Sequence, residues 1–274
     1  MSGNFKAGTV RSLSVRVFAP KDLPRALTLI AADQLPGEPP VHDLPPLPLS
    51  SPSTVFTLSD TPKSVRGVMC LSMHSGGSIG LIPWLHAGED HDAIVTLLTF
   101  ARRYLGPCAL HAFTSPASAA GVPGLPMRHR RVTAHALATD GFTPAAVQSY
   151  LLRDLANQPA APGDPIAEVV LLSDLSGWRL TVTDSSGSVI ATAVVRRPSH
   201  GSGTAGLWYL DVDPDHRRHG IGHRLLTQCA NLALTCGARR LAAYCDEHDE
   251  VLRRFFAAQQ FNTVDSLAVQ HRRN

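Results

Sequence analysis

The run Leu210-Asp211-Val212-Asp213-Pro214-Asp215-His216-Arg217-Arg218-His219-Gly220-Ile221-Gly222 holds the residue types and spacing from which chemistry can be read first. It describes a strand that stops at Pro214, a tight basic turn, and a helix that opens at Ile221. The turn has the form Arg-x-x-Gly-x-Gly. Glycines let the backbone approach a ligand closely, and the first N–H groups of a helix have no partner inside it. Such a helix start is a ready site for a pyrophosphate, with Arg217 and Arg218 adding positive charge.

Other chemistries fit the same residues less well. His219 and His223 are four apart on a helix, which suits a metal, but no third ligand lies nearby and no metal is expected. The basic cluster has no interleaved aromatics and no helix-turn-helix pattern, so no nucleic-acid partner is expected. A dinucleotide fingerprint would not start on arginine after a strand ending in Pro214. A pyrophosphate held by strand, turn and helix is the remaining reading, and it resembles the acyl-CoA signature of the GNAT superfamily of N-acetyltransferases.

The elements that must position this turn follow from patterning. Residues Trp208–Val212 form the strand that enters it. The helix after it spans about Ile221–Cys236, with Ile221, Leu225, Cys229, Leu232 and Cys236 as one buried stripe and Gly237 closing it. Strands are expected at Trp178–Thr183 and Val189–Val195 around the turn Asp184–Gly187, then at Leu241–Cys245 and Thr263–Val269, with a helix at Glu250–Gln259. The first half shows strands at Ser12–Phe18, Thr54–Leu58, Val65–Met73, Ile79–Leu85, Cys108–Phe113 and Val147–Asp154. Its helices are Lys21–Leu35, with Leu23, Ala26, Leu27, Ile30 and Ala31 on one face, Asp92–Tyr104 and Arg130–Thr139. Seven prolines crowd Pro36–Pro52, which excludes regular helix or central strand; it reads as a surface loop or a substrate lid.

Sliding the second half back by 128 residues superimposes two strand-turn-helix units. Leu225-Leu226 falls on Leu97-Leu98, and Trp208–Val212 on Gly80–Trp84. Gln260-Phe261-Asn262 pairs with Gly141-Phe142-Thr143 after a length change. This implies duplicated domains: residues 1–155 and 166–274, joined by an Ala/Pro/Gly-rich linker at 156–165. In the first copy the turn reads Glu89-Asp90-His91-Asp92-Ala93-Ile94. Both glycines are gone, and three carboxylates stand where a pyrophosphate would sit. Those acids are also what any solvated helix start favours. The cofactor is therefore expected in the second copy alone.

Composition bounds the rest. The 274 residues suit two domains, with 44% hydrophobic and 17% charged residues, ample for packed cores. A net charge of +3 is too small to imply nucleic-acid binding. The amino terminus lacks the apolar core of a signal peptide, and no run approaches ~18 apolar residues, so no membrane contact and a cytoplasmic location are expected. Five cysteines with no Cys-x-x-Cys pair read as reduced packing residues.

The resemblance implies an α/β fold: tandem GNAT domains, each a mixed central sheet flanked by helices. Two central strands of the second would splay apart to hold acetyl-CoA. The backbones of Leu210 and Val212 would pair with the pantetheine; the amides of Arg217, Arg218, His219, Gly220, Ile221 and Gly222 would hold the pyrophosphate; Arg224 would reach the nucleotide phosphates. The chain departs from the family at three places. Phe256 stands where a tyrosine often protonates the leaving thiolate, Trp208 and Gly206 where a base often sits on the central strand, and Asp249 where an asparagine is common. Trp208 is then a substrate-binding residue. The displaced acid and base candidates are Tyr244 and Asp246 on the neighbouring strand, taken as the catalytic pair, with Asp211 and His200 behind them. Only about twenty residues separate Leu155 from Trp178, too few for the leading strand and two helices that wall the acceptor site. The missing wall must come from the first half or from another subunit, a homodimer in the latter case.

The function implied is acetyl transfer from acetyl-CoA to a small amine. Size and layout are similar to the kasugamycin 2'-N-acetyltransferases, which inactivate aminoglycosides, and Asp246, Glu247, Asp249, Glu89, Asp90 and Asp92 would attract a cationic sugar. The alternatives are a protein or metabolite amine as acceptor, or an inert acetyl-CoA sensor.

Overall fold

The computed structural model describes residues 13–38, 40–45, 52–74, 76–115, 123–156, 165–173, 176–198, 201 and 203–274. The first half supplies β1 (Ser14–Val17), α1 (Leu23–Ala32), β2 (Ser53–Ser59), β3 (Gly67–Met73), β4 (Ile79–Ile82), β5 (Leu85–His86), α2 (His91–Leu105), β6 (Ala109–Ala112), β7 (Leu125–Pro126), α3 (Arg131–Thr139) and β8 (Thr143–Asp154). The second supplies β9 (Glu168–Leu172), β10 (Gly177–Thr183), β11 (Val189–Arg196), β12 (Thr204–Val212), α4 (Ile221–Thr235), β13 (Arg240–Asp246), α5 (Glu250–Ala258) and β14 (Asn262–Arg272). Among the described residues these strands make one mixed sheet, in the order β1-β2-β3-β4-β6-β14-β8-β13-β12-β11-β10-β9, with β5 on β3 and β7 on β14.

The halves exchange their last strands. β8 ends the first half yet pairs with β13 of the second, from Gln148 opposite Asp246 to Asp154 opposite Arg240. β14 ends the second half yet pairs with β6 of the first, and β8 and β14 pair with each other along most of their length. The sheet therefore runs unbroken through both halves, and neither half closes its own sheet.

Residues that the 128-residue shift pairs take equivalent places in the two cores. Leu97, Leu98, Leu225 and Leu226 are all buried, one pair in each of two large apolar clusters. Phe142 donates its N–H to Leu137 and Phe261 donates to Phe256, both at 3.0 Å, so the same turn closes α3 and α5. Cys70, Cys229 and Cys245 are buried, Cys108 is half-buried and Cys236 is exposed.

Several sequence expectations change. Pro83 splits the strand expected at Ile79–Leu85 into β4 and β5. The α4 stripe is Leu225, Leu226, Cys229, Ala230 and Ala233; Cys236 falls off it because it is the C-cap. Ala31 is exposed, since Ala26 and Ile30 alone of the α1 stripe are buried. The leading strand judged too long to fit is present as β9, an edge strand paired with β10. Its side chains Val169, Val170 and Leu171 stay exposed, so it shows no two-residue alternation to read. Most of the 156–165 linker and His200 lie outside the described residues. Among the described residues no helix is long and apolar enough to cross a membrane.

Candidate active site

β12 and β13 are parallel and pair only where Thr204–Gly206 face Arg240–Ala242. Beyond that point they part, although β12 continues to Val212 and β13 to Asp246. Across β11, Val194 faces Tyr209 while Val195 faces Leu207, so Trp208 is the extra residue of a β-bulge. Asp213 donates its N–H to Ile190 of the β11 side. By the alternation of an antiparallel ladder, Val212 and Leu210 turn their N–H and C=O groups toward the splay. Tyr244 on β13 spans the gap, its hydroxyl donating to the Trp208 carbonyl at 3.0 Å.

The helix start beyond β12 is open. Gly220 is the N-cap of α4 with φ 79°, a left-handed conformation that favours glycine, and no side chain caps it. A Cβ at Gly220 would touch nothing, so conformation and not space demands glycine there. At Gly222 a Cβ would stand 3.5 Å from both Val212 and Phe255, so β12, α4 and α5 converge at that residue. A cleft of about 900 Å³ lies between them, walled by Leu210, Val212, Arg218, Gly220 and Phe255. A cleft of that size holds a large ligand. Its open helix amides suit the pyrophosphate end.

Of the expected cofactor residues, Leu210, Val212, Arg217, Arg218, Gly220, Ile221 and Gly222 line this cleft, and His219 and Arg224 do not. Arg218, His219 and Arg224 are exposed around the helix start. Arg217 folds back: its Nε donates to the Val212 carbonyl at 2.7 Å and its guanidinium lies 3.3 Å from Asp211. That bond occupies an acceptor that the pantetheine would otherwise use.

The matching place in the first half is closed twice over. β4 pairs with β6 along its whole length, from Ile79–Ala109 to Ile82–Ala112, and the ladder continues as Phe113 donates to Ile82. The α2 start is filled by Asp90, whose carboxylate accepts from the amides of Asp92 at 3.1 Å and Ala93 at 3.2 Å and also pairs with Arg66. Arg66, first of all by its hydrogen bond, holds that carboxyl below its ordinary range. Glu89 reaches the start of α3, accepting from Val132 N at 2.6 Å, Thr133 N at 3.2 Å and the Thr133 hydroxyl. Asp92 alone of the three acids remains in solvent.

A second cavity, of about 460 Å³, lies against Trp208 on the side away from the helix start. Its walls are first-half residues apart from Arg196 and Trp208, whose guanidinium and ring stack at 5.1 Å. Val41 and Leu44 of the proline-dense segment pack beside α1 and line it, so the described part of that segment is a wall of the cavity. Tyr150 pins the segment by donating to the Pro36 carbonyl at 3.2 Å, while Gly37, at φ 94°, lies against the Tyr150 hydroxyl and Leu152.

Asp33, Glu38, His86 and Arg130 line the cavity, with Glu89 behind Arg130. His86 Nδ1 lies 3.0 Å from Asp33 Oδ2, Arg130 pairs with the same carboxylate at 3.1 Å, and Arg130 Nε is 3.6 Å from Glu89. Burial lowers the His86 pKa, and the Arg130 charge adds to it. Asp33 stays below its ordinary value because the His86 hydrogen bond and Arg130 outweigh the cost of burial. Glu38, which accepts from Leu35 N at 2.9 Å, is pushed up to about 8 by burial. Among the described residues the indole N–H groups of Trp84 and Trp208 are buried without a partner. None of Asp33, Glu38, His86 and Arg130 had a signal in sequence, because only the fold brings positions so far apart together.

The remaining expectations resolve individually. Trp208 lines the cavity; Tyr244 is in the lining of neither space, but its hydroxyl donates to the Trp208 carbonyl. Asp246 is exposed and accepts from His248 N at 2.8 Å, lining neither space. Asp249 caps α5 by accepting from Leu252 N at 2.9 Å. Phe256 is 3% exposed and packs its ring 5.0 Å from Phe261, a core role. Asp211 is held by Arg217 and Gly206 by the paired part of β12. Among the described residues no cluster of three or more potential ligands could hold a metal ion.

Residues 150–261 match the model of the acetyltransferase (GNAT) family. The fold is that of tandem GNAT proteins. The chain superposes over 96% of its length on 98% of a tandem GNAT protein from the clavulanic acid biosynthesis pathway, at 14% identity and a TM-score of 0.62. A GCN5-related N-acetyltransferase from Sphaerobacter thermophilus matches over 95% of both chains, at 13% identity and 0.62. A fungal multi-domain GH3 beta-N-acetylglucosaminidase contains a GCN5-related glucosamine N-acetyltransferase region; there 95% of this chain covers 38% of that one, at 14% identity and 0.63. No curated protein matches. The GNAT match begins inside β8, the exchanged strand, and ends at Phe261, before β14. Acetyl-CoA is the acyl donor of the GNAT family, and the open α4 start, the splay and the cleft fit its phosphates and its pantetheine arm.

Proposed function

We propose that the chain transfers acetyl from acetyl-CoA to the amino group of a small molecule held in the cavity beside Trp208. The observation that carries this reading is the meeting of two spaces on one strand. Trp208 lines the cavity and Leu210 the cleft, so a thioester lying along β12 and an amine in the cavity approach each other at the bulge. Positioning of this kind supplies much of the barrier reduction in aminolysis.

The cofactor-holding groups in this reading are the backbones of Leu210 and Val212 and the turn from Arg217 to Gly222, with Arg224 toward the nucleotide. Tyr244 is the acid that protonates the leaving thiolate, since its hydroxyl already lies on the bulge carbonyl. Asp246, turned into the loop before α5, has no group to act on. A cavity of about 460 Å³ walled by prolines, Trp84 and Trp208 suits a small molecule better than an extended peptide. An aminoglycoside acceptor rested on attraction by Asp246, Glu247, Asp249, Glu89, Asp90 and Asp92. Two of those acids cap helices in the first half and none lines the cavity, so the acceptor class proposed is a small amine of the cavity's size.

The test is release of free thiol from acetyl-CoA against a panel of small amines, glucosamine included. Thiol release that depends on one of the amines, with matching acetylation of it, is expected. Tight acetyl-CoA binding with no thiol release from any amine would instead make the chain a sensor.

A further inference from the structure

The first half has lost its own cofactor site, yet it keeps a buried histidine–carboxylate pair on the wall of the acceptor cavity. We propose that His86, oriented by Asp33, is the general base for the acceptor amine, so that the catalytic centre is assembled from both halves of the chain. This rests on the acetyl-transfer reading above.

The geometry is that of an oriented base. The Asp33 carboxylate accepts from His86 Nδ1 at 3.0 Å, which fixes the tautomer and leaves the lone pair on Nε2. Among the described residues Nε2 has no protein partner, and the ring lines the cavity whose far wall is Trp208. Asp33 is itself held by Arg130, and Arg130 by Glu89, the acid that occupies the start of α3. The residue that replaces part of a phosphate-binding turn in the first half thus anchors the far end of this relay. Phe113 carries the Arg130 guanidinium on its ring at 5.4 Å.

The groups that set the charge of His86 come from every side. Asp33 at the end of α1 and Arg130 before α3 touch its network directly, with Glu89 and His129 behind them. Glu38, His42, Asp43 and Arg196 line the same cavity. Burial, with Arg130, keeps the imidazole neutral near pH 7, the state a base must have.

The step balances as follows. An acceptor ammonium gives one proton to Nε2, which passes it to solvent. The neutral amine then attacks the thioester carbonyl, a C–N bond forms and the C–S bond breaks. The thiolate takes the Tyr244 proton, and the second N–H proton restores the phenol. Ammonium plus acetyl-CoA becomes amide, free thiol and one proton.

The experiment uses the full chain and the best acceptor of the amine panel. His86→Asn places an amide N–H where Nδ1 was, keeping the bond to Asp33 while removing Nε2. Expected is an acetyl-CoA Kd and Tm within error of wild type, with kcat lowered about 10²-fold or more. The wild-type plot of log(kcat/KM) against pH should steepen by one below the His86 pKa, which burial lowers from its ordinary value, and this extra slope should vanish in His86→Asn. A merely structural role would move Tm and leave the slope unchanged. Wild-type turnover and slope in folded His86→Asn overturn the base assignment alone. If the variant does not fold, a wild-type profile without the extra slope overturns it. No thiol release by wild type from any amine overturns the transfer reading itself, and the base with it.

Discussion

Two helices of equal length, α2 and α4, begin at corresponding places in the two halves and are finished in opposite ways. At α4 the N-cap is Gly220 with no side chain over the amides, and the strand before it has parted from its neighbour. At α2 the N-cap is Asp90, its carboxylate already bonded to two of those amides, and the strand before it is zipped to β6. The dipole of a helix favours an anion at its start in either case. What differs is whether the chain supplies that anion itself. A self-capped start is a structural element, whereas an uncapped start beside a splay is open to an anion from outside the chain.

The sharpest way to break this comparison is to write the first half's solution into the second. Gly220→Asp puts a carboxylate on the open start, in a left-handed conformation that aspartate tolerates better than most side chains. Acetyl-CoA affinity should fall about 100-fold or more, some 2.7 kcal/mol, with Tm little changed. Calorimetry on the folded variant checks it; affinity within threefold of wild type contradicts the assignment of the turn. Next in size, Tyr244→Phe keeps the ring in the splay but removes the hydroxyl. It should lower kcat about 10²-fold and leave the acetyl-CoA Kd in place, as steady-state kinetics beside a binding titration would show.

Smaller effects sharpen the first-half side. Asp90→Ala removes the α2 cap, and a loss of about 1 kcal/mol of stability is expected by denaturant unfolding. It should create no second cofactor site, because β4 and β6 remain paired. Glu38→Gln tests the pH dependence of the same half. Its carboxyl is raised from 4.5 to about 8 in the folded state, so the folded chain holds a proton there that the unfolded chain releases above pH 4.5. The stability of wild type from this group is full below that pH and declines as pH rises toward 8. Glu38→Gln should match wild type near pH 4 and exceed it at pH 8 in Tm.

How much of this was legible in the sequence follows from the range of the interactions. The turn Arg217–Gly222 was readable because its chemistry is local: two glycines, a stop at Pro214 and the stripe through Leu225 and Cys229. The repeat was readable because Leu97-Leu98 and Leu225-Leu226 keep one spacing in both cores. The acids at the α2 start, Glu89, Asp90 and Asp92, were readable, but their capping partners were not, since Glu89 bonds Val132 and Thr133 at the start of α3. The strand exchange had no sequence signal, as β8 and β14 read as ordinary closing strands. The cavity beside Trp208 was the least legible part. Asp33, His86 and Arg130 meet only after α1, β5 and α3 have packed, and Trp208 lines the same cavity.

The central claim is that one chain holds one acetyl-CoA, on the start of α4. Titration calorimetry of the intact chain, paired with a crystal structure of the complex, tests it most directly. The account predicts a stoichiometry of one, with the pyrophosphate on the amides at Gly220–Gly222 and the pantetheine along Leu210–Val212. A stoichiometry of two, or cofactor density at Asp90 on the start of α2, would contradict it.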